Sequence, residues 1–441
     1  MNLECSIKQE LYRYLLLYCK NIDNLYIAFS GGVDSCVLLD AIIKVNKKTN
    51  LNKNIIAIHV NHNISKNSAK WENFCHKFCK DRNIIIDSHQ VNLKIKKDET
   101  LESVARIARY NIFKNHLKDN NSILITAHHQ NDQAETVLLN LFRGSGIDGL
   151  SGMQVISKLA NNKLLRPLLN IPKNIILEYA KNNELKWIDD ESNLSIDYSR
   201  NFLRHEIITK LQEKWPALIS KIAHSAEHSF EAKIYIEKNI EQHYQNSISI
   251  EKFGSKVLDI EYLKNLTRSE QKYLLRYFIK KQDAAYPSKI KLDEILNQAL
   301  NARPDADISI CWKKDNNNYE IKRFKNKIYL LKNFSHTDNK IYNKYNYKLG
   351  EELYIKEIDK IIQLSLEDFG LNKNLNNNMV VEINFRKNLN ANTTFIRNIK
   401  SIKRNNKISL KKYFQESNIS PWMRDNIPLV LVDGIVKLFL Y

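Results

Sequence analysis

Six residues, Ser30-Gly31-Gly32-Val33-Asp34-Ser35, have the types and order of a phosphate-binding turn. Two adjacent glycines lack Cβ atoms, so the backbone can adopt angles closed to other residues and bring its N–H groups close to a phosphate. The apolar spacing from Cys36 to Ile43 suits a helix, whose positive end would face the same phosphate. Ser30 and Ser35 add hydroxyl donors. Asp34 repels phosphate unless a cation lies between them, which makes it a candidate Mg²⁺ ligand. An ordinary strand-to-helix turn uses the same residue types, so the other chemical groups of the chain must decide.

A second group runs through Thr126-Ala127-His128-His129-Gln130-Asn131-Asp132-Gln133-Ala134-Glu135. It places a histidine pair at a strand end and two carboxylates on one side of a helix start, because residues three apart share a helix face. Such carboxylates either complement the helix dipole or recognise cationic groups of a substrate. Arg109 lies in a helical pattern whose apolar side is Leu101, Val104, Ala105, Ala108 and Ile112, and offers a fixed fork of donors to a phosphate or carboxylate. His59 and His62, with Cys75 and Cys79 downstream, imitate a zinc spacing in reverse order, but the cysteines have the i, i+4 spacing of a packed helix face. The string Gly144-Ser145-Gly146-Ile147-Asp148-Gly149 spells a dinucleotide fingerprint but follows a helical segment rather than a strand, so that function is discarded.

Strand-like runs at Leu25–Phe29, Ile55–Val60, Ile84–Ser88 and Ile123–Thr126 alternate with helical stretches. This alternation predicts an α/β fold with a parallel, Rossmann-like sheet, in which ligands bind beyond the carboxyl ends of the strands. The turn at Ser30, the His59-Val60-Asn61-His62 string and the His128–His129 pair then share one rim. The first domain is expected to span residues 1–215, closing near Trp215-Pro216. A helix-rich domain, 216–335, follows, with helices at Ala217–Tyr244 and from Thr267, the second opened by a Thr267/Glu270 capping box. Beyond a polar linker at His336–Lys340, residues 336–441 read as a small mixed α/β domain with an Asp433-Gly434 hairpin.

The 441 residues carry a formal net charge of +19, which favours a polyanionic partner, nucleic acid before membrane. From Arg386 to Lys412 nine residues are basic and none acidic, with Phe395, Tyr413 and Phe414 nearby, a pattern suited to backbone phosphates and stacking. Six sparse cysteines and a start without signal-peptide character predict a cytoplasmic location. No apolar run approaches the ~18 residues of a membrane span.

The Ser30–Ser35 string resembles the SGGxDS signature of the N-type ATP pyrophosphatase (PP-loop) superfamily. Together with Thr126–Thr136 and its continuation Leu138–Met153, Val104–Tyr110, Arg166-Pro167-Leu168, Trp187–Asn193, Arg200–Glu206, Lys411–Glu416 and Pro421–Arg424, the chain resembles the tRNA(Ile)-lysidine synthetase family over essentially its whole length. The resemblance implies a ligase that uses ATP and Mg²⁺ to join L-lysine to C2 of the wobble cytidine in tRNA(Ile) with a CAU anticodon. In that family the base oxygen is adenylated with release of pyrophosphate, and the lysine amine then displaces AMP, changing decoding from AUG to AUA.

Carried over by motif, Ser30, Gly31, Gly32, Val33, Asp34, Ser35, His59 and His129 are expected to hold ATP, and Asp34, Arg109, Asp132 and Glu135 to serve catalysis. Asp132 and Glu135 are also expected at the lysine site. Lysine's amine titrates near ~10.4, and a nearby carboxylate stabilises its ammonium form. Recognition of the cation therefore fits these carboxylates, with one of them able to accept the proton as the bond forms. Arg200, Arg204 and His205 are expected toward the anticodon, and Lys411, Lys412 and Arg424 toward the acceptor stem. The chain departs from the family at Asn131, where an Asp is usual. The rivals are a PP-loop enzyme that thiolates tRNA, which would need a Cys-x-x-Cys that is absent, and a non-catalytic tRNA-binding relative.

Overall fold

The computed structural model describes residues 3–440 except 94–99, 192–194, 252–253, 304–305, 307, 315–316, 333–341, 358–359, 366–379, 390–392, 398–405 and 433. The expected linker at His336–Lys340 and the turn residue Asp433 lie outside the described residues. The chain divides into two compact units, Met1–Ile236 and Glu237–Tyr441.

In the first unit the order is α1 (Leu3–Tyr18), β1 (Asn24–Ala28), α2 (Val33–Thr49), β2 (Asn54–Asn61), α3 (Ser68–Lys80), β3 (Ile85–Gln90), α4 (Leu101–His116), β4 (Ser122–Ile125) and α5 (Gln130–Phe142). There follow α6 (Ile147–Leu150), β5 (Ile156–Leu159), β6 (Asn162–Leu165), α7 (Lys173–Asn182), α8 (Ser199–Phe202), a π-helical turn Leu203–Ile208, α9 (Thr209–Lys214) and α10 (Leu218–Ser247), within which the unit boundary falls. The sheet order is β3-β2-β1-β4-β6-β5. All neighbours pair parallel except β5 with β6. The four expected strands are present with ends shifted by one or two residues. The β5–β6 hairpin was not foreseen, because two four-residue strands are too short to show a period of their own.

From β1 the chain winds outward through β2 and β3, then returns to β4 on the other side of β1. The carboxyl ends of β1 and β4 therefore flank a topological switch point, where this class of sheet leaves a crevice. Helix α2, which starts at that crevice, is buried continuously from Ser35 to Ile42. It packs against α1 and α7 as well as belonging to the core of the sheet, so it has no solvent stripe along this stretch. Its one interior charge, Asp40, is satisfied by the Tyr179 hydroxyl at 2.9 Å, Lys44 at 2.8 Å and Arg82 at 3.4 Å.

The second unit holds β7 (Ile248–Ile250), β8 (Lys256–Asp259), α11 (Ile260–Lys264), α12 (Arg268–Lys281), α13 (Lys289–Asn301), β9 (Ser309–Lys314), β10 (Asn317–Phe324) and β11 (Lys327–Lys332). The Thr267/Glu270 capping box is formed. Besides the helices, these strands build a five-stranded sheet, β7-β8-β11-β10-β9, which the helical periodicity of this region had overshadowed. A six-stranded sheet follows, with order β12-β15-β18-β19-β16-β17. Its strands are β12 (Tyr345–Lys348), β15 (Val380–Phe385), β16 (Thr394–Arg397), β17 (Asn406–Ser409), β18 (Pro428–Val432) and β19 (Ile435–Phe439), with β13 (Leu353–Ile355) and β14 (Lys360–Ile362) paired separately. The expected β18–β19 hairpin is present. Helices α14 (Leu410–Glu416) and α15 (Pro421–Arg424) complete the unit. Trp422 of α15 packs edge-on to Phe324 and Tyr329. No described helix is long and apolar enough to cross a membrane.

Candidate active site

The crevice opens into a cleft of about 580 Å³, lined by the Ser30–Ser35 turn, the His59–His62 string, the Thr126–His128 strand end, Arg109, Arg200 and Arg204. All the rim strings expected from the sequence meet there. The size suits a nucleotide-scale ligand.

The turn is built around Gly31, whose φ of +83° favours glycine, and whose missing Cβ would stand 2.8 Å from Ile188 Cδ1 and 2.9 Å from Cys75 Sγ. Ile188 also donates its N–H to the Gly31 carbonyl at 2.9 Å, so the Trp187–Ile188 segment closes over the loop. The Ser35 hydroxyl accepts from Gly31 N–H at 3.1 Å and donates to the Gly32 carbonyl at 2.9 Å. Ser35 thus braces the turn itself. The first intrahelical bond of α2 is Cys36 N–H to Gly32 C=O, 3.0 Å, which leaves the N–H groups of Val33, Asp34 and Ser35 outside the ladder and available to an anion. On the neighbouring strand the buried His59 places Nδ1 2.9 Å from the Phe29 carbonyl, a bond that requires the proton on Nδ1.

Asp34 stands at the centre of the charges. Its Oδ1 is 2.5 Å from Lys173 Nζ and 3.6 Å from His129 Nε2. Burial opposes its ionisation, but His129 and Lys173 override that and bring its carboxyl down to about 2. It is a permanent anion with a cation already beside it. His129 is the N-cap of α5 and forms a reciprocal capping box with Asp132, its Nδ1 accepting from Asp132 N–H while the Asp132 carboxylate accepts from His129 N–H.

Asp132 and Glu135 do lie on one side of α5, and both face arginines. Arg200 Nε is 2.6 Å from Glu135 Oε2 and its Nη2 3.1 Å from Asp132 Oδ1. Arg204 holds Glu135 through both oxygens, Nε to Oε1 at 2.6 Å and Nη2 to Oε2 at 3.0 Å, and reaches Asp132 Oδ1 at 3.4 Å. Glu135 is 1% exposed and does not line the cleft, whereas Asp132 does. Desolvation works against Asp132's charge, but His129 and the Arg200 guanidinium keep its carboxyl below the ordinary range.

The profile of the PP-loop domain matches residues 3–211, that of the TilS substrate binding domain 258–329, and that of the TilS substrate C-terminal domain 397–438. The tRNA(Ile)-lysidine synthase of Legionella pneumophila (strain Lens) is 33% identical over 414 residues, covering 94% of this chain and 90% of that one. This chain belongs to the tRNA(Ile)-lysidine synthase family. The Buchnera aphidicola (Schizaphis graminum) synthase is 34% identical, covering 92% of this chain and 86% of its own. For that of Coxiella burnetii the figures are 32%, 96% and 89%.

Within this family the Asn131 departure has a local explanation. Its Oδ1 accepts the backbone N–H of Lys173 at 3.2 Å, so the side chain works as an uncharged cap on α7. Lys173 itself escaped the sequence reading. A lysine in the first turn of a helix opposes the dipole, and that misplacement, directly after Pro172, was the available signal. Of the other expected residues, His205 is exposed and outside the cleft lining. Lys411 and Lys412 are exposed on α14, and Arg424 Nε donates to the Ile419 carbonyl at 3.0 Å. The zinc spacing dissolves among the described residues: Cys75 and Cys79 are buried and His59 serves the Phe29 carbonyl. Burial pushes both thiols up to about 12.

Two outcomes follow from this geometry. Gly31→Ala forces a left-handed backbone on alanine and drives its Cβ into Ile188 and Cys75; about 2–5 kcal/mol of stability is lost in urea denaturation, together with ATP binding by equilibrium dialysis. Retention of both would refute the cradle.

The second concerns pH. Desolvation lowers His59 and His128, and desolvation with the Arg109 charge brings His62 down to about 4. Between the unfolded value of about 6.5 and that folded value, the unfolded chain binds protons that the folded cleft refuses. Stability is full above this window and falls as pH is lowered through it; the contribution of Asp34 is fully present throughout the window and is lost only below about pH 4, as pH falls toward its folded value of about 2. The melting temperature of the ligand-free protein drops between pH 7 and pH 5, and a flat profile would contradict the assignment.

Proposed function

We propose that this chain joins L-lysine to C2 of the wobble cytidine of tRNA(Ile) bearing a CAU anticodon, consuming ATP in a carbon–nitrogen ligation that releases pyrophosphate and AMP. The observation that carries the reading is the meeting, in one cleft, of an anion-ready helix start and a carboxylate–arginine cluster next to it, within a chain of this family. The free N–H groups at the start of α2 support pyrophosphate binding, and Lys173 supports a second positive contact to the same group. Asp34 is the residue to hold Mg²⁺; when bound, the ion would neutralise charge developing on the departing phosphates. The low proton affinity of Asp34 and its exposure to the cleft fit that duty. Arg109, which lines the same cleft, offers its fork to the phosphoryl group.

Asp132 is proposed as the carboxylate that meets the lysine ammonium, because it reaches the cleft. Glu135 holds Arg200 and Arg204 in place behind it. An incoming ammonium exchanges with one of those guanidinium contacts on Asp132, so the site stays charge-balanced throughout. The net charge of +19 supports a tRNA partner, with residues 216–335 nearer the anticodon side and Lys411, Lys412 and Arg424 within 336–441 serving phosphates. The thiolation rival is disfavoured by its chemistry, since a protonated, buried thiol is a poor nucleophile. The charge network argues against a non-catalytic relative.

Labelled lysine incubated with ATP, Mg²⁺ and a CAU isoleucine transcript enters that RNA and not a methionine competitor, and Asp34→Ala abolishes incorporation. Cleavage of ATP to AMP without transfer of label would move the protein to another adenylating reaction. Asp132→Asn and Glu135→Gln depress lysine transfer more than tRNA-dependent ATP–pyrophosphate exchange, with Asp132→Asn acting through the KM for lysine; equal loss of both reactions would sink the lysine-site assignment. The Glu135 variant also loses stability, by less than the about 3–5 kcal/mol of a fully buried pair, because Arg204 is 37% exposed.

A further inference from the structure

Three side chains that the ligation chemistry does not use converge at the edge of the parallel sheet. Asp87 and His89 alternate along β3 and so face the same side, and His116 lies in the last turn of α4. None of the three lines the cleft. The two imidazoles point their Nε2 atoms at each other across 2.8 Å. His89 Nε2 is 3.4 Å from Asp87 Oδ1, and His116 Nε2 is 3.4 Å from Asp87 Oδ2.

A single proton can satisfy the His–His contact, and the Asp87 carboxylate lies beside both nitrogens, so three metal-ligating groups are gathered in one place. Zinc binds imidazole nitrogen and carboxylate oxygen at about 2.0–2.2 Å in tetrahedral geometry, which sets neighbouring ligand atoms about 3.3–3.5 Å apart. Each nitrogen stands at this distance from a different oxygen of Asp87, one ligand atom from each of the three residues lies within 4.8 Å of the others, and the two nitrogens need to open by about half an ångström to share an ion. The ring of His116 is oriented by Tyr26 at a centroid distance of 5.5 Å.

We propose that Asp87, His89 and His116 bind a Zn²⁺-like divalent transition ion, with water in the remaining position. The donor set selects against Mg²⁺, which prefers oxygen ligands in octahedral geometry. The site is structural: it ties the edge strand to the end of α4, the helix that carries Arg109 to the cleft wall.

The test uses the full-length protein freed of metal with EDTA and dialysed, then titrated with Zn²⁺ alone against a chromophoric chelator and with Co²⁺ for its visible spectrum. The expected result is one tight equivalent, a tetrahedral Co²⁺ spectrum, a rise in melting temperature with Zn²⁺, and no displacement by a large excess of Mg²⁺. His89→Ala and His116→Ala abolish all of these responses, and the milder Asp87→Asn weakens binding while circular dichroism remains unchanged. Should His116→Ala fail to fold, the more exposed His89 and Asp87 variants decide. Zn²⁺ retained by the histidine variants, displaced by Mg²⁺, or never bound in saturable fashion overturns the proposal.

Discussion

The cluster of Asp132, Glu135, Arg200 and Arg204 is the constraint around which the catalytic unit is organised. Isolated, any of these charges would be expensive to desolvate; arranged as two carboxylates against two guanidinium forks, each is compensated and geometrically fixed. The consequence is architectural. Helix α5 leaves the sheet at β4, while Arg200 and Arg204 come from α8 and the π-helical turn more than sixty residues later. The network therefore brings the last segments of this unit to the side of the crevice that the sheet leaves uncovered. A π-helical turn that follows α8 directly and contains Arg204 is the kind of irregularity that helices carry at functional sites, and it lies where the two arginines face one helix together.

A second layer depends on this one. His129 caps α5 through Asp132 and also points Nε2 toward Asp34, so the carboxylate cluster and the phosphate turn share a residue. Lys173 completes the link from the other side, its backbone N–H capped by Asn131 and its ammonium on Asp34. The Ser30–Ser35 turn and the Asp132 cluster are therefore adjacent parts of one hydrogen-bonded assembly. A change of charge on one side is felt on the other.

The histidines show how environment divides one residue type among different tasks. His59 supports the backbone before the turn and His129 bridges carboxylates. His62 is partly buried, and both of its ring nitrogens are buried without a protein partner. Its pKa of about 4 keeps it neutral, an acceptor or donor waiting at the wall of the cleft. Such an orphaned polar ring is costly in a finished core and fits a surface completed by ligand.

What the sequence by itself determined is everything carried by local spacing: the glycine turn between strand and helix, the strands that put three polar strings on one rim, the shared face of Asp132 and Glu135, and the capping box at Thr267. These follow from fixed periods of 2 and 3.6 residues and from glycine's missing Cβ, and need no knowledge of what lies across the fold. The partners of those groups were decided only by the tertiary structure. Lys173 reaches Asp34 across 139 positions, Arg204 reaches Glu135 across 69, and Ile188 and Cys75 close on Gly31 from separate parts of the chain. The same holds for the short β5–β6 hairpin and for the meeting of His89 with His116. A sequence of mixed charges admits many pairings; sheet order and helix packing select one, because only there does each desolvated charge find its complement.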